Sequence, residues 1–276
     1  MATTLEEWES VFSSLVAGTE AAVQVACSTL CFRQKPFEQA LRSIAELEFS
    51  KLDVAVHEQG GHIKPSEIAA DVGLAAQKLR LGPGLTPAAF SVEIEAADEA
   101  DYLRQFQAVC RLARISAVPL LTIRAAPADG DLEAEVARLA KLCHIATSDG
   151  LILTVSTLTG TLTEDPDLAV KLCERVPGLG LTLDPSHYIS GPNQGRNYDE
   201  VFPYVRHVHL RDTGRGPNSF QVRIGQGEVE YGRILSQLAR HHYNRLLTVD
   251  VRDEPAAPVS MEPEVRKLKY LLESLV

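Results

Sequence analysis

The stretch GLGLTLDPSHYISG at residues 178–191, with VRHVHLRD following at 205–212, decides the predicted fold. Both segments begin with residues typical of short buried strands and end in residues that can bind metals or transfer protons. The first runs into Asp184 and His187, and the second carries His209. The sequence therefore predicts two strands whose carboxyl ends bring an acidic side chain and imidazoles together.

The same alternation of buried strand and amphipathic helix extends outward from these segments. Strands are predicted at 23–32, 52–57, 91–96, 118–124, 151–157, 179–183, 205–210 and 246–251. Apolar periodicity predicts helices at 37–47, 66–79, 98–113, 131–143, 165–175, 231–240 and 262–275. Strands that are apolar on both faces and alternate with helices indicate an α/β fold, a single (β/α)8 TIM barrel. The competing doubly wound sheet usually has a glycine-rich turn after its first strand, and CSTLCFRQKP at 27–36 is not such a turn.

Composition and net charge argue against several classes of function and location. The chain has 276 residues, of which 45% are hydrophobic, and its net charge of −10 argues against nucleic acid as a partner. No apolar run approaches the length of a membrane span, and five cysteines without a CxxC pair fit a reducing cytoplasm. The acidic residues 1–22 are unlike a signal peptide and predict an N-terminal helical extension before a barrel domain at 23–276. The expected partner is a small molecule, and a homodimer is consistent with the sequence.

Polar side chains follow most of the predicted strands, where a barrel has its active site. They are His57, Glu58, Arg124, Ser156, Asp184, His187, His209, Arg211, Asp250 and Arg252. Mixed Asp and His ligands suit a divalent cation, and arginines suggest an anionic or carboxyl-bearing substrate because the guanidinium fork matches such groups. Two alternatives stay open. The histidines can be structural with Asp184 as a helix cap, and the arginines can pair with Asp212, Asp253 or Glu254.

These motifs resemble the xylose isomerase-like TIM barrels, the sugar phosphate isomerase/epimerase group that also includes inosose dehydratases and endonuclease IV. The resemblance runs from about Val23 to Leu275. It rests on LTLDPSHY at 181–188, HVHLRD at 207–212, IGQGEVEYGRIL at 224–235 and the acidic end of LLTVDV at 246–251. It implies a barrel fold and chemistry on a small sugar, polyol or sugar acid.

The resemblance also implies a divalent metal ion (Mn, Co, Mg or Zn), held in the family's epimerases by Glu, Asp, His and Glu from strands five to eight. Asp184 and His209 match the Asp and His positions, and Asp250 replaces the last Glu. Ser156 stands at the position of the first Glu. Because a neutral hydroxyl is a weaker ligand than a carboxylate, we expect the metal to be weakly bound or absent. Because a serine cannot exchange protons at neutral pH, we expect Asp250 to be the remaining acid/base group.

Further roles come from the same resemblance and from strand parity. His187 matches the family's substrate-binding His and joins Asp250 as a predicted catalytic residue. Arg215 matches an arginine six residues beyond the metal-binding His. The predicted substrate-binding residues are His57, Arg124, His187, Arg211, Arg215 and Arg252.

The function predicted from these residues is a metal-assisted sugar isomerase or epimerase. The first alternative is a carbohydrate- or metabolite-binding barrel without catalysis, which Ser156 favours. The second is an inosose dehydratase-like lyase. Hydrolysis of DNA, as in endonuclease IV, is disfavoured by the acidic charge and by the small number of His and Glu ligands.

Overall fold

A computed structural model describes residues 23–60, 62–80, 84–253 and 261–276. Its strands form a closed barrel in which each strand pairs in parallel with the next, and the last pairs with the first. The strands are β1 (Gln24–Ser28), β2 (Lys51–His57), β3 (Thr86–Glu93), β4 (Leu120–Ile123), β5 (Ile152–Ser156), β6 (Gly180–Leu183), β7 (Val205–Leu210) and β8 (Leu246–Val249). The predicted (β/α)8 barrel is confirmed. The predicted N-terminal extension at 1–22 lies outside the described residues.

Helices cover the outside of the barrel. They are α1 (Phe37–Glu46), α2 (Pro65–Ala70), α3 (Val72–Lys78), α4 (Glu99–Ile115), α5 (Leu132–Ser148), α6 (Pro166–Arg175), α7 (Ser186–Ser190), α8 (Tyr231–Arg240) and α9 (Met261–Glu273). The single helix predicted at 66–79 is wrong. Asp71 interrupts it with an extended backbone, and its side chain accepts a hydrogen bond from the Leu74 N–H to start α3.

The strand predicted at 23–32 is also too long. It ends at Ser28, whose hydroxyl accepts a hydrogen bond from the Leu30 N–H and starts a 3-10 turn at Thr29–Phe32. β3 begins and ends earlier than predicted, so its carboxyl end is Glu93 rather than residue 96.

The apolar core lies between the barrel wall and the helices. Each of five helices contributes a side chain with no solvent exposure: Ile44, Phe106, Leu139, Leu172 and Leu268. Truncating any of these to alanine removes transfer free energy and leaves a cavity, which costs about 2–5 kcal/mol. All five cysteines are buried and unpaired, as the sequence predicts. In the described part of the chain, no helix combines the length and apolarity needed to cross a membrane.

A hydrogen-bonded polar layer lies inside the barrel. The hydroxyls of Thr122, Thr154 and Thr182 are 2.7–3.0 Å from one another, and His207 Nε2 is 2.8 Å from Thr248 Oγ1. All five side chains are buried. Because such networks stabilise an interior only when their members are satisfied, this layer makes a rigid floor for groups nearer the strand ends.

Candidate active site at the carboxyl ends of the strands

A narrow cavity lies at the carboxyl ends of the strands. Its volume of about 40 Å³ accommodates about three water molecules. The charged and polar residues that line it include Glu93, Arg124, Ser156, Asp184, His187, His209 and Arg252. The structure thus brings five of the sequence-predicted site residues, together with Ser156, to one place. Asp250 is fully buried next to two of them.

Arg211 neutralises Asp184 beneath this cavity. Its Nη2 lies 2.6 Å from Asp184 Oδ2 and 3.0 Å from His187 Nε2, and its Nε donates to Ser186 Oγ at 3.0 Å. Ser186 Oγ in turn donates to Asp184 Oδ1. Burial would raise the pKa of Asp184, but the charge of Arg211 and the neighbouring donors lower it to about 2. Asp184 is therefore ionised and already paired.

His209 lies between two carboxylates. Its Nε2 is 2.7 Å from Asp53 Oδ2, and its Nδ1 is 3.7 Å from Asp250 Oδ2. Burial alone would lower the pKa of His209, but the charge of Asp250 and the bond with Asp53 raise it above its ordinary value. Burial likewise opposes ionisation of Asp53, yet the bond with His209 and the nearby imidazoles keep the pKa of Asp53 below normal. The raised pKa and the bond with Asp53 therefore both favour the protonated form of His209.

Arg252 pairs with the other carboxylate, its Nη2 lying 2.7 Å from Asp250 Oδ2. The site thus balances three acids with three cations: Asp53, Asp184 and Asp250 with Arg211, Arg252 and protonated His209. An imidazolium has no lone pair to give a metal, and the other two carboxylates already pair with guanidinium groups. Of the three predicted ligands, only Asp250 has oxygens without a hydrogen-bond donor among the described residues, so as placed the set fits a divalent cation poorly, and the predicted Asp184–His209–Asp250 metal site stays a prediction.

Asp53, His207 and His209 form a second group. Their ligand atoms lie within 4.8 Å of one another, and this group could hold a metal ion. At present His207 Nε2 is hydrogen-bonded to Thr248, and burial together with the charge of His209 lowers the pKa of His207 to about 3. A cation here would require a neutral His209 and a His207 Nε2 released from its hydrogen bond with Thr248.

Two other histidines near the cavity are neutral at pH 7. Burial lowers the pKa of His187 to about 4. The charge of Asp184 acts in the opposite direction, and the charges of Arg211 and Arg252 lower the pKa further. Burial also lowers the pKa of His57 to about 4, against the charge of Glu93. His57 Nδ1 lies 3.8 Å from Glu93 Oε2, so His57 contacts a residue of the cavity wall.

The remaining predicted arginines lie farther out. Arg124 pairs with Glu93, and its side chain is 56% exposed at the cavity rim. Arg215 is not brought to this cavity. It is 82% exposed, pairs with Glu228 and lines a separate depression beside α8. Among the described residues, these arginines do not pair with Asp212 or Asp253. Arg211 pairs with Asp184, Arg252 with Asp250, Arg124 with Glu93 and Arg215 with Glu228.

The sequence predictions missed Asp53 and Glu93. Asp53 is a lone charge inside the apolar strand LDVAVH, and a buried charge needs a partner, so its position was a usable signal. Glu93 was missed because the predicted strand continued to residue 96, which placed Glu93 in the middle of a strand rather than at its end.

Comparisons with known proteins agree with this architecture. A family model described as xylose isomerase-like TIM barrel matches residues 42–273. Among curated proteins the sequence has no match.

Several solved structures share the fold. The probable 3-DHS dehydratase AsbF from Bacillus anthracis superimposes with a TM-score of 0.69 at 15% identity, covering 91% of this chain and 99% of that one. The 3-keto-D-glucoside 4-epimerase YcjR from E. coli has a TM-score of 0.67 at 12% identity, with 91% and 99% covered. The IolI protein with a bound zinc atom has a TM-score of 0.71 at 16% identity, with 92% and 98% covered. At these identities the likeness shows the fold alone.

Proposed function

The chain belongs to the xylose isomerase-like TIM barrel family, and from this premise we propose that its cavity is the active site of a sugar isomerase or epimerase. The substrate is a small sugar, polyol or sugar acid. The observation that carries the proposal is the convergence of Asp184, His187, His209 and Arg252 around one cavity, with Asp250 beside them. Proteins of similar fold include a 3-keto-D-glucoside 4-epimerase and a probable 3-DHS dehydratase.

The roles follow from charge and protonation. His187 is neutral and can accept a proton, and Asp250 is the second carboxylate beside His209, with its Oδ2 3.7 Å from His209 Nδ1. His209 and Arg252 place positive charge where an enolate oxygen would develop, which stabilises that charge in a dry site. We assign Asp250 and His187 as acid/base groups, and Arg252, Arg124 and His57 to substrate binding or its support.

Arg211 acts differently in this proposal, because it binds Asp184 and His187 and positions them. Arg215 has no role at this cavity. No step uses a divalent ion, because Asp184 and Asp250 already pair with guanidinium groups. We expect Mn, Co, Mg or Zn to bind weakly.

The test of the proposal is proton exchange in deuterium oxide. A panel of aldoses, ketoses and sugar acids is incubated with the native protein, and NMR follows deuterium incorporation at carbon next to the carbonyl. We expect exchange with at least one substrate, and a rate lower by about 10²–10⁴-fold in Asp250→Asn, because a positioned acid/base group typically contributes that much. Arg114→Met, changed at an exposed arginine that pairs with Asp149, is the matched control and should keep the native rate.

Ser156 supports a second candidate, a barrel that binds a carbohydrate or metabolite without turnover. It lines the cavity at the end of β5, where the family's epimerases have a glutamate. The same experiment separates the candidates. Ligand binding without exchange supports the binding barrel, whereas exchange followed by loss of water from the substrate supports a dehydratase-like lyase. Equal exchange rates in the native protein and Asp250→Asn would contradict the assignment of Asp250.

A further inference from the structure

Arg211 and Arg252 each lie two residues beyond a strand-end site residue, but their donors are engaged differently. Arg211 donates from Nε and Nη2 to Ser186, Asp184 and His187. Arg252 Nε is buried and has no hydrogen-bond partner among the described residues, although Arg252 lines the cavity. Because a buried donor without a partner is costly, it indicates a place for an acceptor that comes from outside the chain.

Asp250 shows the complementary pattern. Its side chain is fully buried, and neither carboxylate oxygen accepts a hydrogen bond from the described residues. The 2.7 Å contact with Arg252 Nη2 balances its charge without the alignment of a hydrogen bond. A carboxylate only accepts, so both oxygens need donors such as ligand hydroxyl groups.

We propose that the ligand of this cavity carries a carboxylate next to a hydroxyl group, as the 2-hydroxy-acid end of a sugar acid does. A carboxylate oxygen accepts from Arg252 Nε, and the hydroxyl donates to Asp250, which does not line the cavity and is reached when the ligand displaces Arg252 Nη2 from it. The inference rests on the proposed function and narrows its substrate class from sugars in general to sugar acids. Arg124, exposed at the rim, adds positive charge beside the entrance.

The unpaired atoms favour a carboxylate over the alternatives. A phosphate would need donors for three oxygens, but Arg252 Nε is the one unpaired buried donor that the described part of the cavity offers. The planar edge of a guanidinium matches a carboxylate. A neutral polyol could also accept from Arg252 Nε, but it lacks the opposite charge and the two coplanar oxygens with which a carboxylate matches a guanidinium group.

The test uses glycolate, the smallest molecule that carries both groups. Acetate and ethylene glycol are matched probes that each lack one of them. NMR titrations of the native protein, Arg252→Met, Arg252→Lys and Arg114→Met report binding through chemical-shift changes at cavity residues. We expect glycolate to bind the native protein more tightly than either matched probe. Arg252→Met should weaken it by about tenfold to hundredfold.

The controls keep the outcome decisive. Arg252→Lys retains the charge but lacks Nε, so its affinity for glycolate should lie between those of the native protein and Arg252→Met. If Arg252→Met does not fold, the comparison of Arg252→Lys with the native protein tests the inference. Arg114→Met, changed at an exposed arginine that pairs with Asp149, should bind as the native protein does. Equal binding of glycolate and ethylene glycol, or equal binding to the native protein and Arg252→Lys, would overturn the inference. If such a result were found and the native protein still catalysed proton exchange on a neutral ketose, the inference about a carboxylate would fail and the proposed isomerase would remain supported. The two ideas can therefore fail separately.

Discussion

Replacing Asp53 by asparagine is expected to lower the free energy of unfolding by about 3–5 kcal/mol, the usual cost of removing one partner from a buried ion pair. Asp53 has no solvent exposure, and its Oδ2 binds His209 Nε2 at 2.7 Å. The variant leaves the imidazolium with Asp250 alone, at 3.7 Å. Because burial favours the neutral form of an unpaired imidazole, we also expect the pKa of His209 to fall.

Urea unfolding followed by circular dichroism measures this loss, and an NMR titration of His209 measures the pKa. Glu133→Gln is the matched control, because Glu133 forms an ion pair with Arg175 on the exposed surface and should matter far less. Equal losses in Asp53→Asn and Glu133→Gln would show that the buried carboxylate does not hold His209.

The second large effect is acid sensitivity below pH 6.5. The pKa values of His57, His187 and His207 are lowered to about 4, 4 and 3, mainly by burial. At pH values between these lowered pKa values and the ordinary histidine pKa of about 6.5, the unfolded chain binds protons that the folded chain does not. Stability is therefore present above about pH 6.5 and falls as the pH falls, by roughly 1.4 kcal/mol per group and pH unit, or about 4 kcal/mol per unit for the three.

The other titratable groups with shifted pKa values do not cancel this loss of stability with falling pH. The pKa of His209 is raised, so its contribution is fully present below pH 6.5 and is lost only as the pH rises through its folded value. The lowered pKa values of Asp53 and Asp184 cost further stability, but only below about pH 4. Since domains are stable by about 5–15 kcal/mol, unfolding should begin between about pH 5 and 4.

Urea midpoints at pH 7, 6 and 5 measure the slope. His207→Gln removes one of the titrating groups and can keep a hydrogen bond to Thr248, so it should reduce the slope by about one third. His241→Gln, changed at an exposed histidine, is the control and should leave the slope unchanged. A native protein equally stable at pH 7 and pH 5 would contradict the buried, neutral state of these imidazoles.

Much of the fold could be predicted from the sequence, because both of its determinants are local. Alternating apolar periods identify strands and helices, and a parallel barrel places all strand ends on one side, so Asp184 and His209 were found from LTLDP and HVHL. Element ends were less accurate. Asp71 and Ser28 interrupt their elements through side-chain hydrogen bonds that apolar periodicity does not register.

The pairing inside the site could not be predicted, because it depends on contacts across the barrel. Asp53 and His209 are 156 residues apart and come from β2 and β7, which are not neighbouring strands. Strand parity gives the face of a side chain but not its partner on the opposite wall. The same limit applies to Arg211 and Arg252, which occupy equivalent positions. Arg211 is engaged because the chain after β6 places Asp184, Ser186 and His187 beside it.

The central claim is that Arg211, Arg252 and His209 balance the acids of this site in place of a tightly bound cation. Calorimetric titration of manganese, cobalt and zinc into the native protein, Ser156→Glu and Ser156→Gln tests it most directly. We predict weak, millimolar binding to the native protein and to Ser156→Gln. In Ser156→Glu, an added carboxylate ligand at the cavity wall should tighten binding by about tenfold or more. Stoichiometric, submicromolar binding of any of these ions to the native protein would contradict the account.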